Sequence, residues 1–297
     1  MSVYAHLSER AIEKLSLSNT DRIQHIKKSR WIGYDRAKEI MTKLEDLLVH
    51  PSQPRMPNML IVGETNNGKT MLVSKFREKH PAEENPNGEA VNIPVLYIQA
   101  PPAPDEGGLY SAILNRLFEE PKRGESITAK RDRVVAVLRR VNLGMIMVDE
   151  LQHFLAGSYV KQRSCLNVLK YLGNELCIPI VGIGTAEAVR AIQTDPQLSN
   201  RFTPEVLPKW VKGPELARLL VSFEKVLPLK NPSLLASPAM ATRIVDMANG
   251  TIGEMSTLLN AAAISAIKTG DEMITLESLD SCGYVSPSKR KLVASTI

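Results

Sequence analysis

Met59-Leu60-Ile61-Val62-Gly63-Glu64-Thr65-Asn66-Asn67-Gly68-Lys69-Thr70-Met71-Leu72-Val73 decides how this chain is read. Leu60, Ile61 and Val62 make a short apolar run of strand character, and an apolar helical run follows Thr70. Between them, Gly63 to Thr70 fits G-x-x-x-x-G-K-[ST]. Glycines let the backbone curl so that successive N–H groups point at a phosphate chain, and the helix starting near Lys69 adds the positive end of its dipole. The spacing gives Lys69 the β and γ phosphates and the Thr70 hydroxyl a Mg²⁺ ion. The competing reading is a plain Gly-rich turn from strand to helix. The expected ligands are therefore ATP and Mg²⁺, with Gly63, Glu64, Thr65, Asn66, Asn67, Gly68, Lys69, Thr70 and Met71 as the binding set.

Met145-Ile146-Met147-Val148-Asp149-Glu150 is the second anchor. Four apolar residues ending in two acids describe a buried strand that emerges at the carboxyl edge of a parallel sheet, where ligand sites lie. Asp149 is placed to hold the Mg²⁺ shell, and Glu150 to orient or deprotonate a water. Alone, a strand followed by two acids reads as surface charge; after a phosphate loop it gains a role. Ile178 to Thr185 is a further buried strand ending in a hydroxyl, so Thr185 serves as a γ-phosphate sensor, as a helix N-cap, or as both. His153 reads as a polar contact near the site.

The remaining chain frames these motifs. Its 297 residues suffice for one α/β domain and a smaller one, and the net charge of +5 tilts mildly towards polyanionic partners. Cys165, Cys177 and Cys282 have no metal-ligand spacing and read as reduced thiols. No apolar run reaches membrane-spanning length and no signal-peptide pattern opens the chain, so a cytoplasmic protein without a membrane partner is expected. Residues 1–30 form a helical extension, 31–212 the α/β domain, 213–284 a purely helical domain and 285–297 a loose basic tail. Ile32 and Tyr34, in Arg30-Trp31-Ile32-Gly33-Tyr34, either pack against a purine base or serve as core. Arg201 beside Phe202 reads as a surface ion pair or as a group reaching the nucleotide of a neighbouring subunit. Val206 to Trp210 reads as the last strand and its exit. Lys122, Arg123, Lys130, Arg131 and Arg133 are candidate DNA contacts, each equally a solvated face.

Together these features resemble the AAA+ ATPases. Gly63–Thr70 looks like Walker A, Met145–Glu150 like Walker B, Thr185 like sensor 1, Asn200-Arg201-Phe202 like the arginine-finger turn, and the stretch after Gly213 like the helical lid. Within that superfamily the chain is similar to the TniB transposition helpers, relatives of TnsC and MuB. Arg30–Tyr34, Val148–His153 and Gly182-Ile183-Gly184-Thr185 carry this narrower likeness. It implies a slow, assembly-dependent ATPase in which Lys69, Glu150, Thr185 and, across a subunit boundary, Arg201 are the catalytic set. It also implies a ring or helical filament on double-stranded DNA that recruits a DDE transposase, with a target-selection protein as a further partner. Hydrolysis would dismantle the assembly. One departure stands out: Gly250-Thr251-Ile252-Gly253-Glu254 lacks the Gly-x-x-Arg of many AAA+ lids. Other readings are a helicase-loader type of AAA+ ATPase and a nucleotide-switched scaffold that binds only proteins.

Overall fold

The computed structural model describes residues 4–86, 88, 90–120 and 122–294. In chain order its first elements are α1 (Glu9–Leu15), α2 (Asn19–Lys27), α3 (Asp35–Leu48), β1 (Asn58–Gly63), α4 (Lys69–Lys79) and β2 (Val95–Gln99). Then come α5 (Glu106–Arg116), α6 (Ile127–Arg140), β3 (Met145–Asp149), a 3₁₀ turn (Leu151–Ala156), α7 (Tyr159–Leu176) and β4 (Ile180–Gly184). The chain continues through α8 (Ala186–Gln193), α9 (Pro196–Ser199), β5 (Phe202–Leu207), α10 (Pro214–Glu224), α11 (Pro238–Met247), α12 (Ile252–Thr269), α13 (Leu276–Ser281) and α14 (Pro287–Ala294).

Packing divides these elements into two compact units. The sheet unit holds residues 35–65 and 69–207; the helical unit joins the chain before Asp35 with residues 66–68 and everything from Pro208 onward. The division therefore falls at other places than 30, 212 and 284, because the N-terminal helices share a core with the C-terminal ones.

In the sheet unit five parallel strands run in the order β2-β3-β4-β1-β5. β1, β3 and β4 are buried along their whole length, as near-continuous apolar strands covered on both faces should be. Their core is closed by Leu109, Tyr110 and Ile113 of α5, Val134 and Leu138 of α6, and Leu166, Leu169 and Leu172 of α7. β5 begins four residues earlier than its sequence suggests. As an edge strand it accommodates Pro204, which stands opposite Leu60, and pairing starts at Phe202 against Asn58. Glu205 on this strand is buried, and Arg36 (2.8 Å) and Lys43 (2.9 Å) of α3 neutralise it.

The helical unit is organised around α12, whose Met255, Leu258, Leu259, Ala262, Ala263, Ala266 and Ile267 recur at helical spacing and are all buried. Ile26 of α2 and Ile32 join the same core as Leu216, Leu219 and Leu220 of α10. Arg22 of α2 is 1 % exposed and forks onto Glu272, with hydrogen bonds of 2.8 and 2.5 Å. The stretch expected to be a loose tail contains α14; residues 295–297 lie outside the described residues. All three cysteines are free thiols. Among the described residues no helix is long and apolar enough to cross a membrane.

Candidate active site

β4 lies between β1 and β3, so what leaves these three strands stands side by side along one carboxyl edge, neighbours roughly 5 Å apart. From β1 comes the phosphate loop, from β4 Thr185, from β3 Asp149 and Glu150. Lys69 is buried at the start of α4, and its Nζ donates to the loop carbonyls of Gly63 and Glu64, 2.8 Å each. Burial pulls this ammonium below the usual lysine value, while Glu150, Asp149 and Glu64 pull the other way. Thr70 is exposed beside it, and Met71 half-buried.

Asp149 is 5 % exposed, and its two oxygens have separate partners. Oδ2 accepts from the Tyr97 hydroxyl at 2.5 Å, and Oδ1 from the Glu150 N–H at 2.8 Å. Burial, then the bond to Asp149, drives the Tyr97 phenol well above its ordinary value, so it stays a donor. Glu150 has φ 56°, in the left-handed region. Its carboxylate accepts from Gln152 Nε2, and Gln152 Oε1 accepts from the Thr185 N–H at 3.3 Å. Thr185 occupies the N-cap position of α8, yet its hydroxyl makes no capping bond. His153 places Nδ1 3.3 Å from the Ala100 carbonyl.

The tip of the phosphate loop belongs to the helical unit. Asn66 (φ 61°) and Gly68 (φ 84°) both take the left-handed conformation, which glycine adopts without strain and asparagine with little. Asn66 Nδ2 donates to Glu254 at 3.0 Å, and its carbonyl accepts from the Gly253 N–H, also at 3.0 Å. Asn67, 2 % exposed, donates to the Pro208 carbonyl at 3.0 Å and accepts from the Ile252 N–H at 3.3 Å. The side chains of Asn66 and Asn67 thus shape the tip. Glu254 also accepts from the Tyr284 hydroxyl at 2.7 Å and from Arg290 of α14.

Ile32 sits in the apolar core of the helical unit, and Tyr34 meets Trp210 edge-on, ring centroids 5.0 Å apart. A Cβ at Gly68 would stand 4.0 Å from the Tyr34 hydroxyl. Arg201 is not gathered with the others. It precedes β5 at the opposite, amino edge of the sheet, where its carbonyl accepts from the Asn58 N–H and its guanidinium donates to Asn174 at 2.7 Å. The six residues of β1 separate that edge from the phosphate loop by roughly 20 Å.

The basic candidates fall into two groups. Lys122 and Arg123 are exposed. Lys130 donates to Ser111 Oγ at 3.0 Å, Arg131 pairs with Asp132 at 2.9 Å and lies over the Tyr171 ring, and Arg133 forks onto Glu125 at 2.9 and 2.8 Å.

A model of the bacterial TniB protein family matches residues 22–212. The chain belongs to the TniB family. No curated protein matches this TniB-family chain in sequence. Solved structures do match it in shape. The ORC2 protein of Aeropyrum pernix, solved in ADPNP–ADP complexes, is 16% identical with a TM-score of 0.62, over 87% of this chain and 70% of that one. The Aeropyrum pernix ORC1 protein, solved in complex with DNA, is also 16% identical, with a TM-score of 0.56 over 88% and 68%. Domain III of the Thermotoga maritima replication initiation protein DnaA is 15% identical, with a TM-score of 0.53 over 88% and 94%. The TniB-family chain has the AAA+ fold.

Two residues of this TniB-family site have no role assigned by the sequence reading, Tyr97 and Gln152, although Gln152 lies within the Val148–His153 stretch. A tyrosine inside the apolar strand Val95-Leu96-Tyr97-Ile98 signals a hydroxyl in need of a partner. Gln152 gives no comparable sign, because its function depends on which strand ends lie beside it.

Proposed function

We propose that this TniB-family protein is an ATPase that assembles on duplex DNA, recruits a DDE transposase to the chosen target and uses hydrolysis to control disassembly. The observation that carries the reading is the row of Lys69, Thr70, Thr185, Asp149 and Glu150 along one sheet edge, in a chain of this family. The residues fit Mg²⁺: Asp149 is a buried carboxylate oriented by Tyr97 and the Glu150 N–H, and the Thr70 hydroxyl is exposed at the start of α4. When bound, Mg²⁺ neutralises charge on the phosphates. Asp149 and Thr70 would hold it. Lys69 exchanges its two carbonyl acceptors for phosphate oxygens, Thr185 offers its hydroxyl, and Glu150 takes a proton from the attacking water at its carboxylate. Tyr34, near Gly68, is the candidate for contact with the base, while Ile32 serves the apolar core. Arg201, far from the phosphate loop of its own chain, completes the site of a neighbouring copy. Lys122 and Arg123 meet DNA phosphates, and repetition along the duplex compensates for few contacts per subunit.

Electron microscopy of the protein with duplex DNA and a slowly hydrolysed ATP analogue tests this. Rings or filaments are expected, dissolving as salt rises. Copies that stay apart with both nucleotide and duplex present would overturn the proposal.

A further inference from the structure

Glu150 holds a backbone conformation that residues with a Cβ rarely adopt, and such a residue persists where its surroundings fix it. Its N–H is tied to Asp149. Its carboxylate is held by Gln152 alone among the hydrogen bonds described. The Gln152 amide bridges two residues at once: Nε2 donates to Glu150, and Oε1 accepts from the Thr185 N–H at 3.3 Å. The orientation of this amide is forced, because a carboxylate only accepts and a backbone N–H only donates. The amide also lies against the last residue of β4: a Cβ at Gly184 would stand 2.4 Å from Gln152 Oε1 and 2.6 Å from the Ala188 Cβ. Glycine at this position is what lets the bridge form.

We propose that Gln152 is a positioning residue for the ATPase reading given above, on which this inference rests. It sets the Glu150 carboxylate relative to the end of β4, so that a shift of Thr185 reaches Glu150 through a single amide. A side-chain amide supplies this donor and this acceptor from one planar group that does not titrate.

Two variants separate the two ends of the bridge. Gln152→Glu keeps an acceptor for the Thr185 N–H and removes the donor to Glu150; Gln152→Ala removes both. In protein without nucleotide, hydrogen exchange at the Thr185 amide should stay at the wild-type rate in Gln152→Glu and quicken at least about tenfold in Gln152→Ala. In the DNA-bound protein both variants should lose about 10- to 100-fold in kcat, while affinity for a fluorescent ATP analogue stays within about twofold. Adding Glu150→Gln to Gln152→Ala should cause no loss beyond that of Glu150→Gln alone. Hydrolysis by Gln152→Glu at or above the wild-type rate, or unchanged Thr185 exchange in Gln152→Ala, would overturn the inference. Wild-type protein whose turnover does not depend on Glu150 would instead strike the ATPase reading, leaving the exchange result to judge the bridge.

Discussion

Replacing Arg22 by Met should destabilise the helical unit by about 3 kcal/mol. Removing one partner of a buried ion pair typically costs 3–5 kcal/mol, because the other charge is left without compensation. Here the loss is explicit. Arg22 gives up bonds to both Glu272 oxygens, to the Pro228 carbonyl at 2.6 Å and to Asn19 at 3.2 Å. Glu272 retains the Lys230 N–H at 3.2 Å and the distant Lys230 ammonium at 3.9 Å, which places the cost at the low end. Neutralising both members, Arg22→Met with Glu272→Gln, should recover roughly 2 kcal/mol of the single-variant loss. Urea is the denaturant of choice, since it leaves the ion pair unscreened. The chain's two tryptophans, Trp31 and Trp210, both lie in the helical unit, so their fluorescence follows that unit selectively. The pH dependence has a definite sign. Burial alone would raise the Glu272 carboxyl, but the bonds from Arg22 and the Lys230 N–H, with the charges of both residues, outweigh it and hold the group below the ordinary glutamate value of 4.5. A carboxyl depressed in the fold contributes stability above its unfolded value and loses it as pH falls through the folded one. The gap between wild type and variant should therefore be full above about pH 4.5 and close below it. A single-variant loss under about 1 kcal/mol, or a gap that widens in acid, would refute the reasoning.

Lys69→Ala should abolish nucleotide binding, as measured with a fluorescent ATP analogue, without unfolding the sheet unit; retained affinity would dismiss the phosphate loop as the site. Arg201→Ala should leave nucleotide affinity of the isolated chain intact while lowering hydrolysis in mixed assemblies. A defect that follows only the chain carrying the substitution's own phosphate loop would count against action across a subunit boundary.

What the sequence discloses here is whatever is local. The phosphate loop is legible because its spacing, the strand before it and the helix after it occupy one short stretch. β3 is legible because four apolar residues run straight into two acids. The limits of β5 are less so: only its edge position explains why pairing continues through Pro204. The grouping of the N-terminal helices with the C-terminal ones was hidden for a related reason. It rests on Arg22 meeting Glu272 and on Ile26 joining the core of α10 and α12, contacts across most of the chain. Asn66 and Asn67 are a third case. The motif places them in the phosphate loop, but it does not disclose that their side chains are occupied by Glu254, Pro208 and Ile252.

The basic heads of α6 bear on DNA binding. Lys130, Arg131, Arg133, Arg139 and Arg140 make α6 look like a polyanion-binding face when the helix is read alone. In the fold acids meet four of them: Asp132 meets Arg131, Glu125 meets Arg133, Glu175 meets Arg139 and Glu119 meets Arg140. Arg133 is the most committed, with its side chain only 14% exposed and a further bond to the Glu120 carbonyl. A phosphate that drew such a group away would break one ion pair to make another, so the net attraction is small. The exposed pair Lys122 and Arg123 faces no such exchange among the bonds described. Two phosphate contacts per copy would give a salt slope of only about −2 for one subunit, too weak to hold a lone protein on DNA. On the proposed function, the same two contacts multiplied along a ring or filament would suffice, so duplex binding would depend on assembly and assembly on the nucleotide.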